Sequence, residues 1–112
     1  MSKSETAVKL SESAQLFQAL GDPIRLRVVS RLSSEGPASI AELTEGSKVS
    51  RQAVTKHLTM LTEAGLLRGR RRGRERIWEL RTERIEAARR ALEQVSKQWD
   101  AAVDRLKLHL GE

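Results

Sequence analysis

Wound as a helix, the stretch from Ser50 to Leu67 places Arg51, Gln52, Thr55, Lys56 and Thr59 on one side, most of them near its N-terminal end. These side chains could read a base pair. An arginine forks onto guanine, a glutamine onto adenine, and a threonine offers a hydroxyl and a methyl. A helix that enters a major groove needs such donors at its leading end. Val54, Leu58 and Leu61 stand at i, i+4 and i+7 and make the apolar stripe behind them. Ser50 is a candidate N-cap, Val49 can staple onto Val54, and Gly65 supplies a left-handed terminator. The competing interpretation is an ordinary amphipathic surface helix, whose outer face would more often mix glutamate with lysine.

An arginine-loaded segment follows at once. Leu66 to Leu80 carries Arg68, Arg70, Arg71, Arg72, Arg74 and Arg76, with Arg72-Gly73 placed as a hairpin tip and Trp78 and Leu80 pointing inward at period two. A two-stranded ribbon does not need this charge for stability. Beside a groove-reading helix, it would lie along the phosphate backbone or dip into a minor groove. The bland alternative is a solvated basic loop.

The elements that must hold these groups are legible around them. A chain of 112 residues is one small domain, 1–112. Phe17, Trp78 and Trp99 are its only aromatic residues, so the core is aliphatic and the fold mainly helical. The same scarcity argues against single-strand and RNA binders, which stack bases on exposed rings. No cysteine is present, which excludes disulfides and thiolate sites, and no leader or membrane-length apolar run is visible, so the expected location is cytoplasmic. The net charge of +6 is local: residues 50–80 hold eight basic against three acidic side chains, while residues 1–49 balance. That is the footprint of a polyanion-binding face.

Residues 1–9 are expected to be flexible, and a first helix through Leu16, Phe17 and Leu20 stops at Gly21. Asp22-Pro23 caps and opens a second. Ser39-Ile40-Ala41-Glu42 is a capping box that starts a third, so 39–64 forms a helix-turn-helix and 66–80 its wing. Over 82–110 the period changes. Ile85, Leu92, Trp99 and Leu106 are spaced by seven, with Ala88, Val95 and Ala102 between them. Such a seam needs a partner helix, and at about 40 Å it is longer than the domain requires, so its far half packs back on the first helix, it pairs with another subunit, or both. The predicted fold is mainly α with a small β-hairpin: a winged helix-turn-helix with a long C-terminal dimerisation helix.

Three segments together resemble the ArsR/SmtB family of bacterial winged-helix repressors: Leu20-Gly21-Asp22-Pro23-Ile24-Arg25-Leu26-Arg27, the Ser50–Leu67 helix with Thr55-Lys56-His57-Leu58, and Ile77-Trp78-Glu79-Leu80. The resemblance implies a homodimer joined through its first and last helices, binding inverted-repeat operators and usually repressing. On that basis Leu16, Phe17, Leu92, Val95, Trp99 and Leu106 are the expected dimer contacts. Many members release DNA on binding metal, and here the chain departs from them. Ser39-Ile40-Ala41-Glu42-Leu43 stands where the metalloid site has Cys-x-Cys-Asp-Leu, and the last helix has only His109. A metal sensor needs several converging ligands. No metal and no cofactor are therefore expected.

The expected function is a homodimeric, sequence-specific regulator of transcription, most naturally a repressor on double-stranded DNA, with no membrane partner and no small-molecule effector that the sequence identifies. Ser50, Arg51, Gln52, Thr55, Lys56 and His57 would serve as the recognition-helix contacts, His57 as a packing residue or phosphate donor. Arg70, Arg71, Arg72 and Arg74 would hold the flanking backbone. The alternatives are a nonspecific architectural DNA binder and a protein-interaction module using the winged helix and last helix. An enzyme is not expected, since no nucleophile–base pair or phosphate loop is present.

Overall fold

The computed structural model describes the backbone of residues 3–111 and the side chains of residues 11–111. The chain runs α1 (Lys3–Leu20), α2 (Pro23–Glu35), β1 (Ala38–Ser39), α3 (Ile40–Thr44), α4 (Arg51–Glu63), β2 (Leu67–Arg72), β3 (Glu75–Leu80) and α5 (Thr82–His109). No glycine or proline interrupts the chain before Gly21, so α1 extends back to Lys3 through the stretch expected to be flexible.

The helix ends form as their capping residues dictate. Asp22 accepts from the N–H groups of Ile24 and Arg25 at 2.9 and 3.1 Å and caps α2, with Pro23 in the first turn. Ser39 and Glu42 close the capping box of α3 in both directions. Ser50 accepts from the Ala53 N–H and starts α4. At the other end of α4, Gly65 takes φ +82, and the Leu66 N–H reaches back to the Leu61 carbonyl at 3.0 Å. This wrap ends the helix and points the chain directly into β2.

The wing is larger than the expected ribbon. β1, two residues long, pairs antiparallel with the free edge of β3, giving a three-stranded sheet of order β1-β3-β2. Alternation cannot reveal a two-residue strand, and Ala38-Ser39 reads as loop and cap. The pairing also explains why Ile77 is buried although it lies on the opposite face from Trp78. The hairpin tip is shifted by one residue from its expected place. Arg72 pairs with Glu75, so Gly73-Arg74 makes the turn, and only Gly73 has positive φ, at +64. That is the requirement of a type II′ connection.

The core lies between the helices and the inner face of the sheet. Leu16, Val28, Leu32, Val54, Leu58, Leu61, Leu66, Leu67, Trp78 and Ala88 form one cluster, and Leu58, Leu61 and Leu66 have no exposed surface. Each such leucine contributes about 1.5–3 kcal/mol relative to leaving it in water. Leu16 belongs to this core, being 1% exposed, and so leaves almost no surface for the dimer contact expected of it. Phe17 is half-buried against the same cluster. The two side chains point inward because α1 packs on α5 within the chain, so its apolar face is used locally.

Candidate nucleic-acid interface

α4 turns Val54, Leu58 and Leu61 into the core, which leaves Arg51, Gln52, Thr55, Lys56 and Thr59 all exposed on the far side. The threonine hydroxyls are engaged with the helix itself. Thr55 donates to the Arg51 carbonyl at 2.8 Å, and Thr59 to the Thr55 carbonyl at 3.0 Å. Their protons are thus committed, and what they offer a base is a methyl group and a lone pair. Arg51, Gln52 and Lys56 keep their polar groups free of contacts among the described residues. Ser50 is exposed, its hydroxyl oxygen accepting the cap bond.

His57 lies at the edge of the apolar stripe. It is half-buried on the flank of α4 that faces α2, with Nδ1 3.8 Å from Asp22 Oδ2. Position 57 sits beside the core stripe rather than opposite it, so its ring turns inward, away from Gln52, Thr55 and Lys56. Asp22 itself is held below the usual carboxylate range, chiefly by the Arg25 N–H, then by that of Ile24 and by the neighbouring His57 and Arg25 charges, against a partial burial that pushes it up.

The wing arginines divide into two kinds. Arg68 donates twice to Glu79 Oε1, at 2.8 and 3.1 Å, and Arg70 lies 3.4 Å from Glu79 Oε2. Arg72 sits 3.8 Å from Glu75, and Arg76 stacks on Trp78 at 4.6 Å from the ring centre. Arg71 and Arg74, at and beside the tip, have no ion pair among the described residues. Exposed pairs of this kind are weak, so Arg70 and Arg72 can still turn to a phosphate, but Arg71 and Arg74 need break nothing to do so. The structural roles of Arg68 and Arg76 were missed in the sequence. Placing the tip at Gly73-Arg74 would have set Arg68 across from Glu79.

Ser39 and Ala41, which stand where the resemblance puts a pair of thiolates, do not fit a metal. Ser39 is buried, its hydroxyl spent on the Glu42 N–H and carboxylate, and Ala41 has no donor. Glu42 is kept below its ordinary value first by the Ser39 N–H and then by the Ser39 hydroxyl, which makes it a capping group. Among the described residues no three His, Cys, Asp or Glu side chains converge on one point. No helix among them is long and apolar enough to cross a membrane.

A short helix, a turn, a second helix with an outward face of donors and an abutting arginine-rich hairpin define a winged helix-turn-helix, a class of DNA-binding transcriptional regulators. The family model of a helix-turn-helix domain matches residues 20–70. The arsenic resistance transcriptional regulator ArsR1 of Pseudomonas putida is 30% identical over 101 residues, spanning 87% of this chain and 78% of that protein. An HTH-type transcriptional regulator of Mycobacterium tuberculosis, Rv2034, is 41% identical over 64 residues, 57% of this chain and 59% of the relative. Among solved structures, an ArsR-like transcriptional regulator from Rhodococcus sp. RHA1 superposes with a TM-score of 0.70 at 30% identity, covering 88% of this chain and 92% of that one. The chain belongs to the ArsR/SmtB family of transcriptional regulators. It is a regulator of transcription and not an enzyme.

Proposed function

We propose that the chain acts as a homodimeric repressor in the cytoplasm, each subunit setting α4 into one half of an inverted-repeat operator, with release from DNA independent of metal. The observation that carries this is the placement of Arg51, Gln52, Thr55 and Lys56 on the one face of α4 that the core leaves open, beside the wing. In this arrangement α4 reads base edges and Arg70, Arg71, Arg72 and Arg74 hold phosphates. Dimerisation is supported by the outer stripe of α5, where Leu92, Trp99 and Leu106 are 56%, 68% and 60% exposed, with half-buried Val95 between them. Large apolar side chains at helical spacing are rarely left in water on a monomer. Metal independence is supported by the donor chemistry of Ser39 and Ala41.

The test separates helix from wing. Gln52→Ala or Arg51→Ala is expected to cost about 1–3 kcal/mol on the operator and much less on random duplex. Arg71→Ala or Arg74→Ala is expected to weaken both alike and to flatten the log K against log salt slope by about one unit per half-site. Wing variants that change sequence preference, with helix variants changing only the salt slope, would reverse the assignment. A wild type with equal affinity for operator and random DNA would make the protein an architectural binder.

A further inference from the structure

Two pairs of residues meet at the edge of α4 that faces neither the core nor the outward donors. His57 and Met60, one helical turn apart, look toward Asp22 and Arg25, also one turn apart at the start of α2. Arg25 is the centre of this contact. Its Nε donates to the Ala19 carbonyl at 2.6 Å and its Nη2 to the Gln18 carbonyl at 3.4 Å, two acceptors at the end of α1, of which the Gln18 carbonyl also accepts the Gly21 N–H at 3.1 Å. Its Nη1 donates to Met60 Sδ on α4 at 3.4 Å. One planar guanidinium therefore joins the end of α1, the start of α2 and the flank of α4. Beside it, Asp22 caps α2 through the Arg25 N–H and stands 3.8 Å from the buried Nδ1 of His57, which has no hydrogen-bond partner.

Apolar packing is non-directional. The Val54, Leu58 and Leu61 stripe sets which face of α4 turns to the core, and small rotations and slides about that face are what it opposes least. A forked, directional contact on the flank can set both. We propose that Arg25 is a positioning residue for base reading: by bridging the end of α1 to Met60, it fixes the rotation of α4 and so the aim of Gln52 and Arg51. Asp22 holds Arg25 in place. The inference rests on α4 being the helix that reads bases.

The experiment uses the full chain and the duplex recovered by selection from a random library, with random duplex as competitor. Arg25→Lys keeps the charge and loses the fork, while Met60→Leu keeps the volume and loses the acceptor. Each is expected to lower the operator-to-random ratio by about three- to tenfold. Random-duplex affinity and the salt slope are expected to stay as in wild type, below the melting transition of every variant. The double variant is expected to be no worse than Arg25→Lys alone, because both remove one contact. Gln52→Ala is the reference. If it leaves the ratio unchanged, the base-reading role of α4 is what fails. If it lowers the ratio while Arg25→Lys and Met60→Leu do not, the positioning role is refuted. Additive losses in the double variant, or equal losses on random duplex, refute it as well.

Discussion

Gly69 is where one added methyl group is expected to do most harm to the wing. The sheet register sets it directly across from Trp78. A Cβ built there would stand 2.8 Å from Trp78 Cζ3, 3.1 Å from Cε3 and 2.8 Å from Arg76 Nε. Arg76 can swing away at the cost of its stacking on the ring, about 0.5–1 kcal/mol at an exposed site. Trp78 is only 8% exposed and part of the core cluster, so its ring cannot move without displacing its neighbours. Overpacking of this kind costs about 1–3 kcal/mol. For a domain of this length, about 4 °C of melting temperature follows each kcal/mol, so Gly69→Ala is expected to melt about 4–12 °C lower. Thermal unfolding followed by far-ultraviolet circular dichroism reads this directly, and the near-ultraviolet tryptophan signal is expected to weaken in the folded state. In a Trp78→Leu background the same alanine is expected to be nearly neutral. A Gly69→Ala melting point within about 1 °C of wild type would refute the claim that the ring and the glycine are fitted to each other.

Three further outcomes follow from the same structure. Replacing Leu92 and Trp99 together by serine is expected to give a monomer by analytical ultracentrifugation and to collapse operator affinity, since two linked half-site contacts gain from effective concentration; a wild type that is monomeric at micromolar concentration sinks the dimer. Asp22→Asn is expected to lower stability above pH 5, and the deficit should close on acidification. The folded-state value of Asp22 is depressed, so its contribution is present above the unfolded value and lost as pH falls through the folded one. Denaturant midpoints that differ equally at all pH values would contradict it. Zn²⁺, Cd²⁺, Ni²⁺ and arsenite at micromolar levels are expected to leave operator binding unchanged, and stoichiometric binding that releases DNA would overturn the assignment of Ser39 and Ala41.

What the sequence made legible was whatever repeats or caps. The stripe of α4, the Asp22, Ser39 and Ser50 caps and the Gly65 stop all depend on residues close together in the chain, and the structure places each as expected. What escaped depends on contacts between distant segments. β1 exists only because the edge of β3 is there to pair with it. Leu16 reads equally well as core or interface until α1 is seen to pack on α5. His57 stands at the border of two faces, and only its approach to Asp22 decides which it serves. The division of the arginines into tied and untied ones required the hairpin register, which hung on a one-residue choice at Gly73.

Ser39 occupies two structures at once. It is the last residue of β1, paired with Ile77 in the sheet, and the N-cap of α3. With Leu66 closing the other side, its N–H donating to the Leu61 carbonyl of α4 at 3.0 Å, the ribbon is fastened to both helices of the pair. Wing and recognition helix thus behave as the two jaws of a caliper with a locked screw. If both grip DNA as proposed, the stretch of duplex they span inside one half-site is a fixed gauge, and an inserted base pair there cannot be followed by the protein. In the proposed dimer, any tolerance for spacing has to come from between the half-sites, where the joining helices set the distance.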